Sequence, residues 1–154
     1  MSERPGPSPE DLGHPEESEK LFSRIAQTAR RIVYSHPDSY FETKEAITES
    51  GDKIQGVAQR IFATDSIKSV PGLSIIVEGE AGDPNYKADI VFGDDDPYIH
   101  HIYHLMSSGE VYYGIMDEKA ELTDVAANCT LEQRKVLLNK IMMAEAELQE
   151  RGEI

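Results

Sequence analysis

Residues 98–116 read YIHHIYHLMSSGEVYYGIM, and this stretch decides the fold. Two runs rich in β-branched and aromatic residues flank Ser107-Ser108-Gly109, which is typical of a β-hairpin closed by a three-residue loop with glycine in the left-handed conformation. That loop places Leu105 opposite Val111. Because successive side chains of a strand point to opposite sides, the register assigns every residue of the hairpin to one of two faces.

The two predicted faces differ in composition. The first face carries Ile99, His101, Tyr103, Leu105, Val111, Tyr113 and Ile115. The second face carries Tyr98, His100, Ile102, His104, Met106, Tyr112, Gly114 and Met116. A surface this rich in Tyr, His and Met is typical of a contact surface, unless a helix covers it and makes a third layer. The candidate binding residues are therefore Tyr98, His100, Ile102, His104, Met106, Tyr112 and Met116.

The hairpin extends toward the N-terminus into a predicted antiparallel meander. Two more short runs, at 73–79 and 87–92, are rich in β-branched residues and bounded by turn-formers. The connections at 80–85 and 93–97 are too short for crossover helices. Four antiparallel strands are therefore predicted.

Helical patterns flank these strands. From Glu17 to Pro37 an apolar stripe recurs with a period of 3.6, and Thr130 with Gln133 matches a capping box that opens a helix over Leu131–Gln149. Another capping-box match, Asp52 with Gln55, predicts a helix over 52–64, whereas 38–51 fits a helix or a strand equally. A short helical turn is predicted over 122–126. The predicted buried side of the C-terminal helix is Leu131, Leu138, Ile141, Met142 and Leu148.

These patterns predict an α+β fold. Residues 1–16, which hold four prolines, are predicted to be a disordered tail, and 17–154 a single α+β domain. Its architecture is a two-layer sandwich of N-terminal helices, a four-stranded antiparallel meander and a long C-terminal helix.

Charge and cysteine content exclude several classes of function. Fifteen Lys and Arg against 29 Asp and Glu give a net charge of −14, which argues against binding nucleic acid or anionic membranes. The sequence has neither a membrane-spanning apolar run nor a secretory pattern at its N-terminus. The single Cys129 cannot form an intramolecular disulfide, which suits a cytoplasmic protein.

The histidines are the first residues to test for metal chemistry. On a helix, His100 and His104 would converge on one side, but on a strand they lie about 13 Å apart. Zinc would need a ligand from a neighbouring strand, such as Asp89. We therefore predict no metal site and no cofactor, and we interpret these histidines as half-exposed sheet residues, with a pH-sensing role as the alternative.

Other chemical signals are weak. The run Asp94-Asp95-Asp96 lacks the alternating ligands of a calcium loop and is interpreted as a solvated turn. Cys129 precedes a helix without a nearby histidine in sequence, so a buried, inert thiol is predicted. The nucleotide and hydrolase motifs are missing. A basic stripe on the first helix (Lys20, Arg24, Gln27, Arg31) is interpreted as a solvated face that balances local acids.

The sequence favours a non-enzymatic, acidic, cytoplasmic protein-binding module that acts as an adaptor, inhibitor, immunity protein or chaperone. Its partner would present a basic surface, because opposite charge accelerates association. One alternative is a small-ligand binder or weak enzyme with His100, His104 and Tyr112 in a pocket between sheet and helices. A second alternative is a metal-dependent phosphodiesterase built from Glu80, Asp89 and residues 117–119.

Overall fold

The computed structural model describes residues 15–47, 49–79, 84, 86–117 and 127–154. Helix α1 spans Pro15–Ser35 and helix α2 spans Leu131–Glu150. The strands between them are β1 Tyr40–Ile47, β2 Lys53–Thr64, β3 Leu73–Glu78, β4 Lys87–Gly93, β5 His100–Met106, β6 Val111–Met116 and the two-residue β7 Ala127–Asn128. Each strand pairs antiparallel with the next, so strand order in the sheet follows chain order.

The predicted α+β class and antiparallel sheet are confirmed, but the element count was wrong. Within the described residues the sheet has six long strands and the short β7 rather than four strands. Among the described residues one helix, not two, precedes the sheet. Both differences arise between residues 38 and 64, where the sequence pattern was ambiguous or misleading.

The predicted helix over 52–64 is wrong, because these residues form strand β2. Strand β2 lies between β1 and β3 and carries apolar side chains on both sides, since Phe62 is buried in the core and Ile61 is buried on the opposite face. Adjacent apolar residues that face opposite sides of a strand imitate the i, i+3, i+4 spacing of a helix. Pairing with two neighbouring strands overrides the match at Asp52 and Gln55.

Residues 38–51, left open between helix and strand, contribute β1, whose register shifts between Lys44 and Ala46. The predicted tail lies outside the described residues except for Pro15 and Glu16, which open α1. The predicted helical turn over 122–126 also lies outside them.

The register of the β5–β6 hairpin is as predicted. Leu105 pairs with Val111, Tyr103 with Tyr113 and His101 with Ile115. The Gly109 N–H donates to the Met106 carbonyl at 2.9 Å, and Gly109 has φ 91°, a conformation that glycine adopts without steric cost. Turn geometry therefore fixes which hairpin side chains share a face.

Both helices pack on the first face of the sheet. Along β3 and β4 the burial alternates, with Ile75 and Ile90 fully buried and their neighbours Ile76 and Asp89 half-buried. The core joins the first face to Ile25, Ile32 and Val33 of α1 and to Leu137, Ile141 and Leu148 of α2. Sheet and helices thus form two layers around one core.

The capping box of α2 is confirmed, since the Gln133 N–H donates to Thr130 Oγ1 and the Thr130 N–H donates to Gln133 Oε1. Its buried stripe differs in detail from the prediction. Met142 is exposed, whereas Leu137 and Ala144 are buried with Leu138, Ile141 and Leu148. The buried stripe of α2 therefore includes Ile141 but not its neighbour Met142.

Arg134 occupies the first buried position of α2 and ties four segments together. It is 5% exposed and donates to the carbonyl oxygens of Ser18 and Gly109 and to Asn128 Oδ1, each at 3.1 Å. Nε donates to the Cys129 carbonyl at 3.5 Å. One guanidinium thus connects the start of α1, the β5–β6 turn, β7 and α2, and its burial lowers the pKa of Arg134.

A surface carboxylate fastens the far end of α2. The backbone N–H groups of Lys68 and Ser69 each donate to Glu147 at 2.9 Å. These hydrogen bonds lower the pKa of Glu147 from the usual 4.5 to about 2. Glu147 therefore holds the β2–β3 connection against the helix as long as it is ionised.

We predict that Arg134→Leu lowers the free energy of unfolding by about 2–3 kcal/mol, because several buried carbonyl oxygens lose their donor. Urea unfolding followed by circular dichroism measures the loss. The control is the exposed neighbour Lys135→Ala, whose ion pair with Glu17 spans 3.8 Å and is expected to matter by less than about 0.5 kcal/mol. Equal stability of Arg134→Leu and the wild type would show that Arg134 does not join these segments.

Candidate functional site

The second face of the sheet carries an open concavity of about 550 Å³. Its lining is mostly apolar and comes from strands β3 to β6: Ile76, Asp89, Val91, Ile102, His104, Tyr112 and Met116. Both described helices lie on the other side of the sheet. The concavity therefore opens away from the helical layer.

Strand register brings these residues together. Ile76, Asp89, His104 and Tyr112 are successive cross-strand neighbours on β3, β4, β5 and β6. One step along the strands, Val91 pairs with Ile102 and Ile102 with Gly114. Gly114 itself is buried and adds no side chain to the lining, which β6 supplies through Tyr112 and Met116.

Four of the seven candidate binding residues line this concavity: Ile102, His104, Tyr112 and Met116. His100 and Met106 are half-buried on β5 outside it. Tyr98 does not belong to the strand at all, because β5 begins at His100; it is 60% exposed in the preceding turn, where its N–H donates to Asp96 Oδ1.

Ile76 and Val91 contribute apolar side chains to the concavity that were not predicted from the sequence. Both are half-buried residues of strands that the sequence did predict, and the alternation of β3 and β4 marks them as second-face residues. The sequence does not reveal the register between these strands and the hairpin. That register decides which residues become cross-strand neighbours.

Two polar pairs lie in the concavity or at its rim. His104 Nδ1 hydrogen-bonds Asp89 Oδ1 across β4 and β5. The Tyr112 hydroxyl donates to the Glu110 carboxylate. Within the described part of the chain, neither Asp89 Oδ2 nor His104 Nε2 has a hydrogen-bond partner. An otherwise apolar surface thus presents one carboxylate oxygen and one imidazole nitrogen.

The Asp89–His104 pair supplies two of the ligands that a zinc ion would require. Residues 15–47, 49–79, 84, 86–117 and 127–154 contain no group of three or more His, Cys, Asp or Glu placed to hold a metal ion. Of the phosphodiesterase candidates, Glu80, Glu118 and Lys119 lie outside the described residues.

The acidic run at 94–96 lies in a turn, and its first carboxylate is hydrogen-bonded by His101 and by the next backbone N–H. His101 Nε2 hydrogen-bonds Asp94 Oδ2 at 2.6 Å, and the other ring nitrogen bonds the Tyr113 hydroxyl at 2.6 Å. The hydrogen bond from His101 holds the pKa of Asp94 below its usual range, with a further contribution from the Asp95 N–H. These contacts lie on the first face, across the sheet from the concavity.

The basic stripe of α1 faces α2 in part. Arg31 donates to both carboxylate oxygens of Glu145, at 2.8 and 3.1 Å, which raises the pKa of Arg31. Arg24 contacts the sulfur of Met142. These two residues of the stripe thus make contacts between the helices. Neither described helix has the length and apolar composition of a bilayer span.

Cys129 is a free thiol that is 2% exposed, so the predicted buried thiol is confirmed. Burial raises its pKa from 9.0 to about 11, and the positive charge of Arg134 offsets only part of that shift. Only thiolates are nucleophilic, so this cysteine is a poor candidate for covalent catalysis.

Comparison with protein families, curated proteins and solved structures finds no match for this chain. The geometry of the second face is therefore the main indication of function.

We predict that Ellman's reagent labels Cys129 in the folded protein at least about 100-fold more slowly than in urea, because the rise of its pKa from 9.0 to about 11 alone lowers the thiolate fraction about 100-fold at neutral pH. The folded rate should rise as pH approaches 11. Rapid stoichiometric labelling of the folded protein would contradict both the burial and the raised pKa.

Proposed function

We propose that this protein is a non-enzymatic binding module that holds a segment of a partner protein on the second face of its sheet. The observation that carries the proposal is the apolar concavity on the side of the sheet opposite to both described helices. Half-buried Ile76, Val91, Ile102 and Met116 remain available there to contact apolar side chains. An adaptor, inhibitor, immunity or chaperone role would use such a surface.

Charge indicates the chemistry of the partner. The chain carries −14, and the carboxylates of Glu78, Asp89 and Glu110 lie on or beside the second face. A partner segment with large apolar residues flanked by Lys or Arg would match both the lining and the charge. A nucleic acid or an anionic membrane would be repelled.

A small apolar ligand is the second candidate. The volume of the concavity falls within the range of small-molecule sites, about 300–1,000 Å³. Such a ligand would bind on the second face and not, as the sequence suggested, between sheet and helices, where Ile75, Ile90 and Leu105 are fully buried.

Selection of random displayed peptides on the immobilised protein tests the proposal. We expect enriched peptides to combine large apolar residues with Lys or Arg. Two variants should weaken their binding by at least about tenfold: Ile102→Lys and Met116→Lys, each of which places a positive charge among the apolar residues of the concavity.

The matched control is Asn139→Lys, which adds the same side chain and the same charge to an exposed position of α2 on the opposite layer. It should bind the selected peptides like the wild type. Circular dichroism and thermal unfolding verify that each variant is folded. Peptides that bind folded Ile102→Lys and Met116→Lys as tightly as the wild type would refute a second-face site, and failure to enrich any peptide would favour the small-ligand alternative.

A further inference from the structure

The Asp89 carboxylate gives the apolar concavity a specific polar feature. Asp89 lies on β4 between Ile76 and His104, and its Oδ1 is engaged by His104 Nδ1. Its Oδ2 has no hydrogen-bond partner among the described residues. A carboxylate oxygen beside apolar side chains is incompletely solvated and gains more than a fully exposed one from a hydrogen-bond donor.

The charged side chains near Asp89 on the second face are mostly acidic. Lys87, the nearest basic residue on the same face of β4, lies directly opposite Glu78 on β3. Glu110 beyond β5 accepts from the Tyr112 hydroxyl and adds another negative charge. Asp89, Glu78 and Glu110 thus outnumber Lys87 on this side of the sheet, and the whole chain carries −14.

We propose that Asp89 forms a cation subsite within the concavity, which takes the ammonium group of a lysine whose flanking residues fill the apolar lining. The inference rests on the proposed function, because it concerns the same concavity and adds the identity of one partner residue. His104 acts as a positioning residue that holds the carboxylate through Oδ1 and leaves Oδ2 to the ligand. An uncharged residue would gain only apolar contact, and an acidic one would be repelled.

Three blocked peptides test this subsite: acetyl-Leu-Lys-Leu-amide and its analogues with norleucine or glutamate in the middle. Norleucine keeps the aliphatic chain and removes only the ammonium group. Titration followed by NMR of the methyl groups of Ile102 and Met116 should show the lysine peptide binding about three- to tenfold tighter than the norleucine peptide, with the glutamate peptide weakest. At about 1 M salt the difference should largely disappear.

Asp89→Asn should bind the norleucine peptide as the wild type does but lose the preference for lysine. The control Glu150→Gln removes the same charge from the exposed end of α2, on the other layer, and should keep the preference. Loss of the preference in both variants would assign it to net charge and overturn the subsite.

Equal binding of the lysine and norleucine peptides by the wild type would also overturn the subsite, yet it would still support an apolar binding surface. Absence of any methyl shift with all three peptides would refute the subsite, and the displayed-peptide selection would then decide the proposed function separately.

Discussion

Coverage of the sheet by two helices is the constraint on which the structure depends. Two helices packed side by side span about 20 Å, and six strands at about 4.8 Å spacing span about 24 Å. The pair of helices is therefore just wide enough to cover one face. Both helices pack on the first face, and the side chains along β3 and β4 accordingly alternate between buried and half-buried. The apolar residues of the second face receive no helix from the described part of the chain.

Polar contacts at both ends of α2 hold the two layers in place. Arg134 connects its first turn to the start of α1 and the β5–β6 turn through backbone carbonyls, and Glu147 connects its last turns to the β2–β3 connection through backbone N–H groups. Backbone partners restrict the geometry of these contacts, because a planar peptide group has no side-chain torsions of its own. The layers are thus held at their ends while the apolar core fills the space between them.

The parts of the fold that local chemistry determines could be predicted from the sequence. The loop at Ser107–Gly109 fixed the β5–β6 register, and the match of Thr130 with Gln133 fixed the start of α2. Strand β2 could not be predicted in this way, because Ile61 and Phe62 face opposite sides and imitate a helical spacing. Arg134 was also unpredictable, since three of its acceptors are carbonyl oxygens from separate elements, a set that no residue type reveals.

The candidate site was only half predictable for a related reason. Hairpin parity grouped Ile102, His104, Tyr112 and Met116, which the structure brings together in the concavity. Ile76, Asp89 and Val91 join them through registers across β3, β4 and β5, and the connections between those strands are too long to fix a register from sequence. Tyr98 fell outside because the turn before β5 extends two residues further than the alternation suggested.

Accessibility of the second face to solvent is the claim on which the functional account stands, and methyl NMR with a soluble paramagnetic gadolinium chelate measures it directly. The account predicts strong relaxation enhancement for the methyl groups of Ile76, Val91, Ile102 and Met116, and little for Ile75, Ile90 and Leu105 on the first face. Equal protection of the two sets would mean that the second face is covered in solution, which would contradict the account.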